Sequence, residues 1–518
     1  MKNANINRLV IIATLVTLLA GSEDDLPKSE PRANIPQIDF SLPDYISNIR
    51  QTKFENTTSL RDSTALNALI ETTMVMEHIP GAATWASKNG QVIWQKCYGL
   101  ANIEDSVPVA DTTLFMLASI SKTITATAIM QLWERGAFGL FDDVNDYLSF
   151  NVRNPNNPNT PITFYTLLTH TSSIADNWSI LGPLYTYEGD SPISLDSFLS
   201  NYLVPGGIYY NPSNYYTWPP GGGGDYSNVG VALLGYLVEA IEDSFPVHCQ
   251  DSIFQPLSMD ETSWFLANLD PNNIAVPYHW NGSSYTPYRH YGYPDYPDGQ
   301  LRTSATQLAQ HLTAFMQYGQ IDTVRMLDSA TVDLMTTVQY QATPTLHIGL
   351  IWWHHFAGTR WVWGHGGGDD GVSTRSAFCP EENSAVIVLT NSESDDGPDV
   401  IENALFDYAT QLDVAEHKAT MPAAMNLQVA PNPFHSKARI RYSILDPGYS
   451  TKNPALDIYD ASGRLVKSFN LESKIENQGS AISWRGDDDA GRELPCGVYF
   501  VKLTSGEFEE TKKVLLVR

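Results

Sequence analysis

FMLASISKTITATAIM, residues 115–130, joins a serine to a lysine three positions on and then turns largely apolar. Three residues make about one helical turn, so Ser119 and Lys122 share a face. The pattern predicts a helix running to Leu132 and stopping at Gly136. A serine that opens such a helix places its hydroxyl at the positive end of the helix dipole. A lysine one turn away, desolvated by apolar neighbours, can lose its proton and accept one from the serine. This is the only S-x-x-K in the chain. The blander account is a helix cap followed by a surface lysine.

Two further stretches carry chemistry. Asp225–Gly230 reads DYSNVG, between a run of four glycines and an apolar helix over Val229–Ile241. A tyrosine at this loop-to-helix junction, Tyr226, can relay protons when a nearby cation lowers its pKa. Asn228 can orient a lysine and a substrate amide. Tyr209-Tyr210-Asn211 is a decoy of the same spacing without that context. Trp363–Gly371 reads WGHGGGDDG and precedes the apolar strand Ser384–Thr390. A histidine followed by glycines suggests a strand edge where backbone approaches a ligand closely, with N–H groups open to an oxyanion.

Around these stretches the chain has 518 residues, which predicts two or three domains. With 42% hydrophobic residues, 12 Trp and 26 Tyr, it can fill a large core, so disorder is not expected. A net charge of -27 repels phosphate backbones and argues against nucleic-acid partners. Leu9–Ala20, an apolar run behind Lys2 and Arg8, has the shape of a secretory signal over residues 1–21. Ser22 stands where a lipidated cysteine would be, so no lipid anchor is expected, and no later segment reads as a membrane span in the mature protein. Residues 22–59, with four prolines among charges, read as an N-terminal extension. The four cysteines form no C-x-x-C pair and H-E-x-x-H is absent, so neither a metal nor a cofactor is expected.

From 60 to 412 helix-type and strand-type segments intermix without a βαβ rhythm, which predicts an α+β domain. It opens with a helix over Ser63–Glu77 and a hairpin turning at Asn89-Gly90. Tyr278–Asp298, rich in Tyr, Pro and Gly, reads as a long irregular loop that either packs over the surface or lines a cleft. After a linker at 413–425, residues 426–518 read as short strands with turns at Ala461-Ser462-Gly463 and around Gly491, a small β-sandwich.

Taken in order, Ser119-Ile-Ser-Lys122, Tyr226-Ser-Asn228 and His365-Gly-Gly367 resemble the S-x-x-K, Y-x-N and K-T-G or H-x-G motifs of the serine β-lactamase and penicillin-binding superfamily, in its class C-like branch of carboxypeptidases, D-aminopeptidases and esterases. Pro80-Gly81-Ala82-Ala83, Leu167–Ser172 and Asp298-Gly-Gln-Leu-Arg302 add to the likeness over about 350 residues. The resemblance implies an antiparallel sheet flanked by helices, with a helical subdomain. It implies that Ser119 attacks a carbonyl to give an acyl-enzyme, that Lys122 and Tyr226 share acid and base duties, and that Asn228 orients them. His365 would edge the cleft, and the backbone N–H groups of Ser119 and Gly368 would form the oxyanion hole. His365 and Gly366 replace the Lys and Thr that hold a substrate carboxylate in β-lactamases, so ester, amide or D-Ala-type peptide substrates, including peptidoglycan-like ones, gain weight over β-lactams.

Ala430–Phe434, Ile458–Gly463, Trp484–Asp487 and Gly497–Tyr499 resemble secretion-sorting β-sandwiches of the Bacteroidetes type, and equally a FlgD-like immunoglobulin fold. This implies engagement of secretion machinery and a periplasmic, surface or extracellular location. The competing reading of the whole is a non-turnover penicillin-binding or surface-binding module; the complete set of Ser119, Lys122, Tyr226 and Asn228 favours the hydrolase.

Overall fold

The computed structural model describes residues 63–343, 345–394, 396–419, 424–445, 455–471, 480–505 and 508–517. The signal segment and the N-terminal extension expected from the sequence lie outside the described residues.

The first region is built on a nine-stranded sheet. Its strands are β1 (Gly81–Lys88), β2 (Gln91–Asn102), β3 (Val107–Pro108), β4 (Tyr340–Thr343), β5 (Leu346–Ile348), β6 (Trp353–Ala357), β7 (Arg360–Asp369), β8 (Val372–Cys379) and β9 (Ser384–Thr390), in the spatial order β4-β5-β6-β7-β8-β9-β1-β2-β3. Every recorded pairing between these neighbours is antiparallel. Asn89 and Gly90 both have positive φ, 52° and 76°, as a two-residue type I′ hairpin turn requires.

The central strands β1 and β9 are buried along their whole length, and their side chains enter two cores in turn because successive side chains leave a strand on opposite faces. Ala385, Ile387 and Leu389 of β9 enter one core, and Val386 and Val388 the other. The second core is closed by α1 (Ser63–Met76), through Leu66 and Ile70, and by a terminal helix (Asp396–Ala419), through Ile401 and Leu405. The first, larger core holds α2 (Ser121–Glu134), α3 (Asn228–Glu242) and α4 (Ala305–Met316). Twelve of the fourteen α2 residues are buried, so this helix is enclosed on every side rather than lying with one face to solvent. Its threonines are accommodated by hydrogen bonding: Thr127 Oγ1 donates to the Thr123 carbonyl at 2.8 Å and Thr125 Oγ1 to the Pro297 carbonyl at 2.6 Å. The second of these bonds ties α2 to the turn that faces Lys122.

The Tyr-rich segment is more ordered than the sequence reading expected. It folds into a hairpin (Tyr278–Trp280 with Tyr285–Pro287), a short strand (Tyr291–Gly292) paired with Thr186–Tyr187, and a 3-10 turn (Tyr296–Asp298). Tyr291 and Tyr293 are buried against Met116, Ala118 and Val372, next to the serine-bearing turn.

Beyond residue 424, two antiparallel sheets share one core. Ala424–Ala430, Ala438–Leu445 and Ser480–Trp484 form one, and Leu465–Asn470, Ala455–Asp460, Gly497–Ser505 and Phe508–Leu516 the other. Ile440, Ile458, Val501 and Leu503 fill the space between them around Trp484. The expected turns are present, with Gly463 N–H donating to the Asp460 carbonyl and Gly491 N–H to that of Asp488, both at 2.9 Å. No described helix is long and apolar enough to cross a membrane.

Candidate active site

Ser119 sits in a 3-10 turn, Ala118–Ile120, that runs directly into α2. Ala118 has φ 47°, a left-handed conformation that a non-glycine residue adopts only when its surroundings hold it. Two bonds do so. Leu117 N–H donates to the Leu301 carbonyl at 2.8 Å, and Thr374 Oγ1 on β8 donates to the Leu117 carbonyl at 2.8 Å. Ala118 and Ile120 are buried while Ser119 is half-buried. The turn therefore lifts one hydroxyl out of a packed surface.

Lys122 is fully buried one turn along. Its ammonium donates to Ser119 Oγ at 3.0 Å and to the Asp298 carbonyl at 2.7 Å, and lies 4.9 Å from the centre of the Tyr226 ring. Desolvation was expected to free this lysine of its proton. Burial does pull the ammonium down, but Tyr226 and the carboxyl groups of Asp298 and Asp176 outweigh it, and the net direction is upward. The correction is electrostatic: the lysine is buried among acceptors, not among apolar groups alone. Burial also pushes the Tyr226 phenol up, with Lys122 and Ser119 opposing it. The Tyr226 hydroxyl oxygen is buried without a hydrogen-bond partner among the described residues, although it lies in the electrostatic reach of both.

Tyr226 is held from three sides. Its ring packs on His170 with centroids 4.6 Å apart, on Trp353 edge-on at 5.7 Å and on His365 at 6.1 Å. Ser227 caps α3, its Oγ accepting the Gly230 N–H at 2.9 Å. The half-buried Asp176 carboxylate accepts the N–H groups of Asn228 at 2.8 Å and Val229 at 3.1 Å, and the Ser227 hydroxyl at 3.3 Å. Among the described residues this backbone bond to Asp176 is the contact that Asn228 makes outside its helix; no bond joins its side chain to Lys122. The decoy Asn211 instead caps a 3-10 turn, its side chain accepting the Ser213 N–H.

His365 lies on β7 and is buried against Trp353, centroids 4.1 Å apart. Its Nδ1 is 2.6 Å from the Gly366 carbonyl, which assigns the proton to Nδ1 and leaves Nε2 as a buried acceptor with no donor among the described residues. Burial and the Lys122 charge push His365 well below the usual imidazole range, so it is neutral. His170 is neutral for the same two reasons, pushed down to about 3.

The pairing of β6 with β7 ends at Gly364, so from His365 on β7 has β8 on one side and no sheet partner on the other. The glycines there differ. A Cβ on Gly367 would stand 2.2 Å from the Leu117 carbonyl oxygen and 2.3 Å from Thr374 Oγ1. Gly367 is therefore what allows the strand to lie against the Ser119 turn. A Cβ on Gly368 would meet nothing within 4 Å, and this residue is exposed.

The structure thus brings Ser119, Lys122, Tyr226 and His365 together from separate segments, with Asn228 and Gly368 at the margin. Three contributors had no role assigned from the sequence. The Asp298 carbonyl, which receives Lys122, and His170 stood in quoted stretches, but a carbonyl direction and a ring stack have no sequence signature. Asp176 follows no motif at all. The electrostatic background is acidic: burial and neighbouring carboxylates push Asp295 up to about 7 and Asp298 well above its ordinary value, and burial pushes Asp369 up to about 6. No group of metal-binding side chains is present among the described residues.

Comparison with known proteins gives the family of each region. The family profile described as Beta-lactamase matches residues 66–409, and that of a secretion system C-terminal sorting domain matches residues 428–517. Protein flp of Staphylococcus aureus (strain MRSA252) is 26% identical over 343 residues, 65% of this chain and 64% of that protein. The match thus spans somewhat less than two thirds of that relative's length. Esterase EstB of Burkholderia gladioli is 29% identical over 216 residues, covering 41% of this chain and 54% of the esterase. Among solved structures, an octameric penicillin-binding protein homologue from Pyrococcus abyssi superposes with a TM-score of 0.54 at 20% identity, covering 87% of this chain and all of that one.

Proposed function

Because the chain belongs to the β-lactamase family, a family of serine hydrolases, we propose that Ser119 is its nucleophile and that esters or amides lacking a recognised carboxylate are its substrates. The C-terminal sorting domain marks the protein as exported. In this reading the hydrolase region spans residues 60–412, a linker 413–425 and the sorting sandwich 426–518.

The observation that carries the proposal is the Lys122–Ser119 hydrogen bond at 3.0 Å, with the Tyr226 ring 4.9 Å from the same ammonium. As Ser119 Oγ bonds to the substrate carbonyl carbon, its proton passes to the Lys122–Tyr226 pair in the form that has already given up one proton. The pair then returns a proton to the leaving oxygen or nitrogen. Water attacks the acyl-enzyme by the same route in reverse and frees Ser119. The Ser119 N–H, at the start of a helical turn, and the Gly368 N–H, on the strand margin, are the oxyanion donors of this reading. His365, neutral and an acceptor at Nε2, cannot replace a lysine in binding a carboxylate, which supports uncharged acyl substrates over β-lactams. The name of the Burkholderia relative, an esterase, points the same way.

The test is turnover of p-nitrophenyl acetate by the mature protein beside its Ser119→Ala variant. Sustained hydrolysis that disappears in the variant supports the reading. A single burst of one p-nitrophenolate per chain would identify an acylating binder instead. Equal rates in both proteins would remove Ser119 from the mechanism.

A further inference from the structure

Tyr226 stands two residues after four consecutive glycines, Gly221–Gly224. Glycine loses more conformational freedom on ordering than any other residue, so the chain leading to this tyrosine has no stiffness of its own. The Tyr226 hydroxyl adds none, because it has no hydrogen-bond partner among the described residues. Whatever fixes the phenol must therefore act on its ring and on the backbone beside it.

His170, from a distant segment, meets all three of residues 225, 226 and 227. Its carbonyl accepts the Asp225 N–H at 3.0 Å, its ring packs on the Tyr226 ring with centroids 4.6 Å apart, and its Nδ1 accepts the Ser227 N–H at 3.2 Å. The next residue, Thr171, takes the other end of the glycine run, its carbonyl accepting the Gly221 N–H at 2.8 Å. His170 is itself held in a left-handed conformation, φ 55°, with its N–H donating to the Leu167 carbonyl at 3.2 Å. The bond to Nδ1 assigns the proton of the neutral ring to Nε2, which is buried with no acceptor among the described residues. An unpaired buried donor costs free energy, and the Nδ1 bond and the ring stack are what the imidazole gives in return. Few side chains combine these contacts. Phenylalanine offers the ring without the acceptor, asparagine the acceptor without the ring, and a charged imidazolium would turn an N–H toward the Ser227 N–H.

We infer that neutral His170 is the positioning residue of Tyr226, clamping residues 225–227 so that the phenol stays in register with Ser119 and Lys122. The inference rests on Tyr226 as a member of the proton-handling pair and names what holds it there. His170 acts through Tyr226, so its contribution should exist only while the phenol is present.

A double-mutant cycle tests this. The kcat and KM for p-nitrophenyl acetate, with thermal melts, are measured on the full chain for the native protein, Ser119→Ala, Tyr226→Phe, His170→Asn and the double variant His170→Asn/Tyr226→Phe. Asparagine tolerates the left-handed backbone and keeps an acceptor for the Ser227 N–H, so His170→Asn removes chiefly the ring. It should melt within about 4 °C of the native protein and keep KM within about threefold, while kcat falls at least about tenfold. In the Tyr226→Phe background the same substitution should change kcat by less than about twofold, because the group it positions is gone. A kcat within about threefold of native in His170→Asn would overturn the inference. So would an undiminished loss in the Tyr226→Phe background, which is the mark of a merely structural residue. If His170→Asn does not fold, His170→Phe, which keeps the ring and drops the acceptor, carries the same cycle, and its loss must likewise vanish with the phenol. Native kcat in Tyr226→Phe, with Ser119→Ala inactive, would remove Tyr226 from the proton transfer and overturn the role of His170 while leaving the nucleophile in place. Native kcat in Ser119→Ala would overturn the nucleophile and this inference with it.

Discussion

Replacing Gly367 by alanine should cripple the site, whereas the same change one residue later should not. The Cβ added at 367 would stand 2.2 Å from the Leu117 carbonyl oxygen, and real Cβ atoms essentially never approach closer than 3.0 Å. Strand and turn must therefore part by about 0.8 Å, the difference between those two distances. Both neighbours are fixed: one is backbone, and the other, Thr374 Oγ1, is hydrogen-bonded to that same Leu117 carbonyl. A displacement of about 1 Å at reacting groups costs on the order of 100-fold in rate. Overpacking and the strained Thr374 bond would add about 1–3 kcal/mol of lost stability. At Gly368 the new methyl meets open space and the backbone N–H is retained. The assay is kcat/KM for p-nitrophenyl acetate together with a thermal melt, for Gly367→Ala and Gly368→Ala in parallel. If Gly367→Ala stays within about threefold of the native rate, or Gly368→Ala is the more damaged, the strand does not press on the nucleophile's turn as argued.

Lys122→Met, which keeps the buried volume but removes the ammonium from Ser119 and Asp298, should lower kcat by roughly a thousandfold without unfolding the protein, as seen by rate and melting together. Asp176→Ala leaves the Asn228 and Val229 N–H groups and the Ser227 hydroxyl without their acceptor and should cost about 3 kcal/mol in a urea titration; a loss under about 0.5 kcal/mol would show that other groups take its place. Glu402 is buried, with Oε1 unpartnered among the described residues, and burial pushes its carboxyl up to about 7 from 4.5. The folded state therefore holds this proton more tightly than the unfolded chain, and stability falls as pH rises from about 4.5 to about 7, by about 3 kcal/mol in all. Glu402→Gln should remove most of that decline in denaturant titrations at about pH 5 and about pH 8, and an unchanged decline would show that Glu402 holds its proton no more tightly in the folded protein than in the unfolded chain.

The candidate residues Ser119 and Lys122 could be picked out in the sequence because the chemistry they would carry depends on residue type at short spacing. Ser119 and Lys122 are one turn apart, and no folding beyond that turn is needed to bring them together. The same holds for the Asn89-Gly90 hairpin, whose turn chemistry is local, and for strand Ser384–Thr390, a short continuous apolar run. The Tyr-rich segment misled because its tyrosines are set among turn residues, while its short strands exist only through pairing with Thr186–Tyr187 and through burial against the serine turn. The surroundings of Lys122 also differ from the sequence reading. Apolar neighbours along α2 say that the lysine is buried, but the acceptors that hold its proton come from Asp298, Tyr226 and Asp176, far away in the chain. Sequence by itself determined which residue types stand one turn apart or at a loop-to-helix junction, and hence which groups are candidates to react. Only the tertiary structure decided the surroundings of Lys122 and the closeness of Gly367 to the nucleophile's turn, because electrostatics and steric contact depend on distances in space that spacing along a chain does not encode.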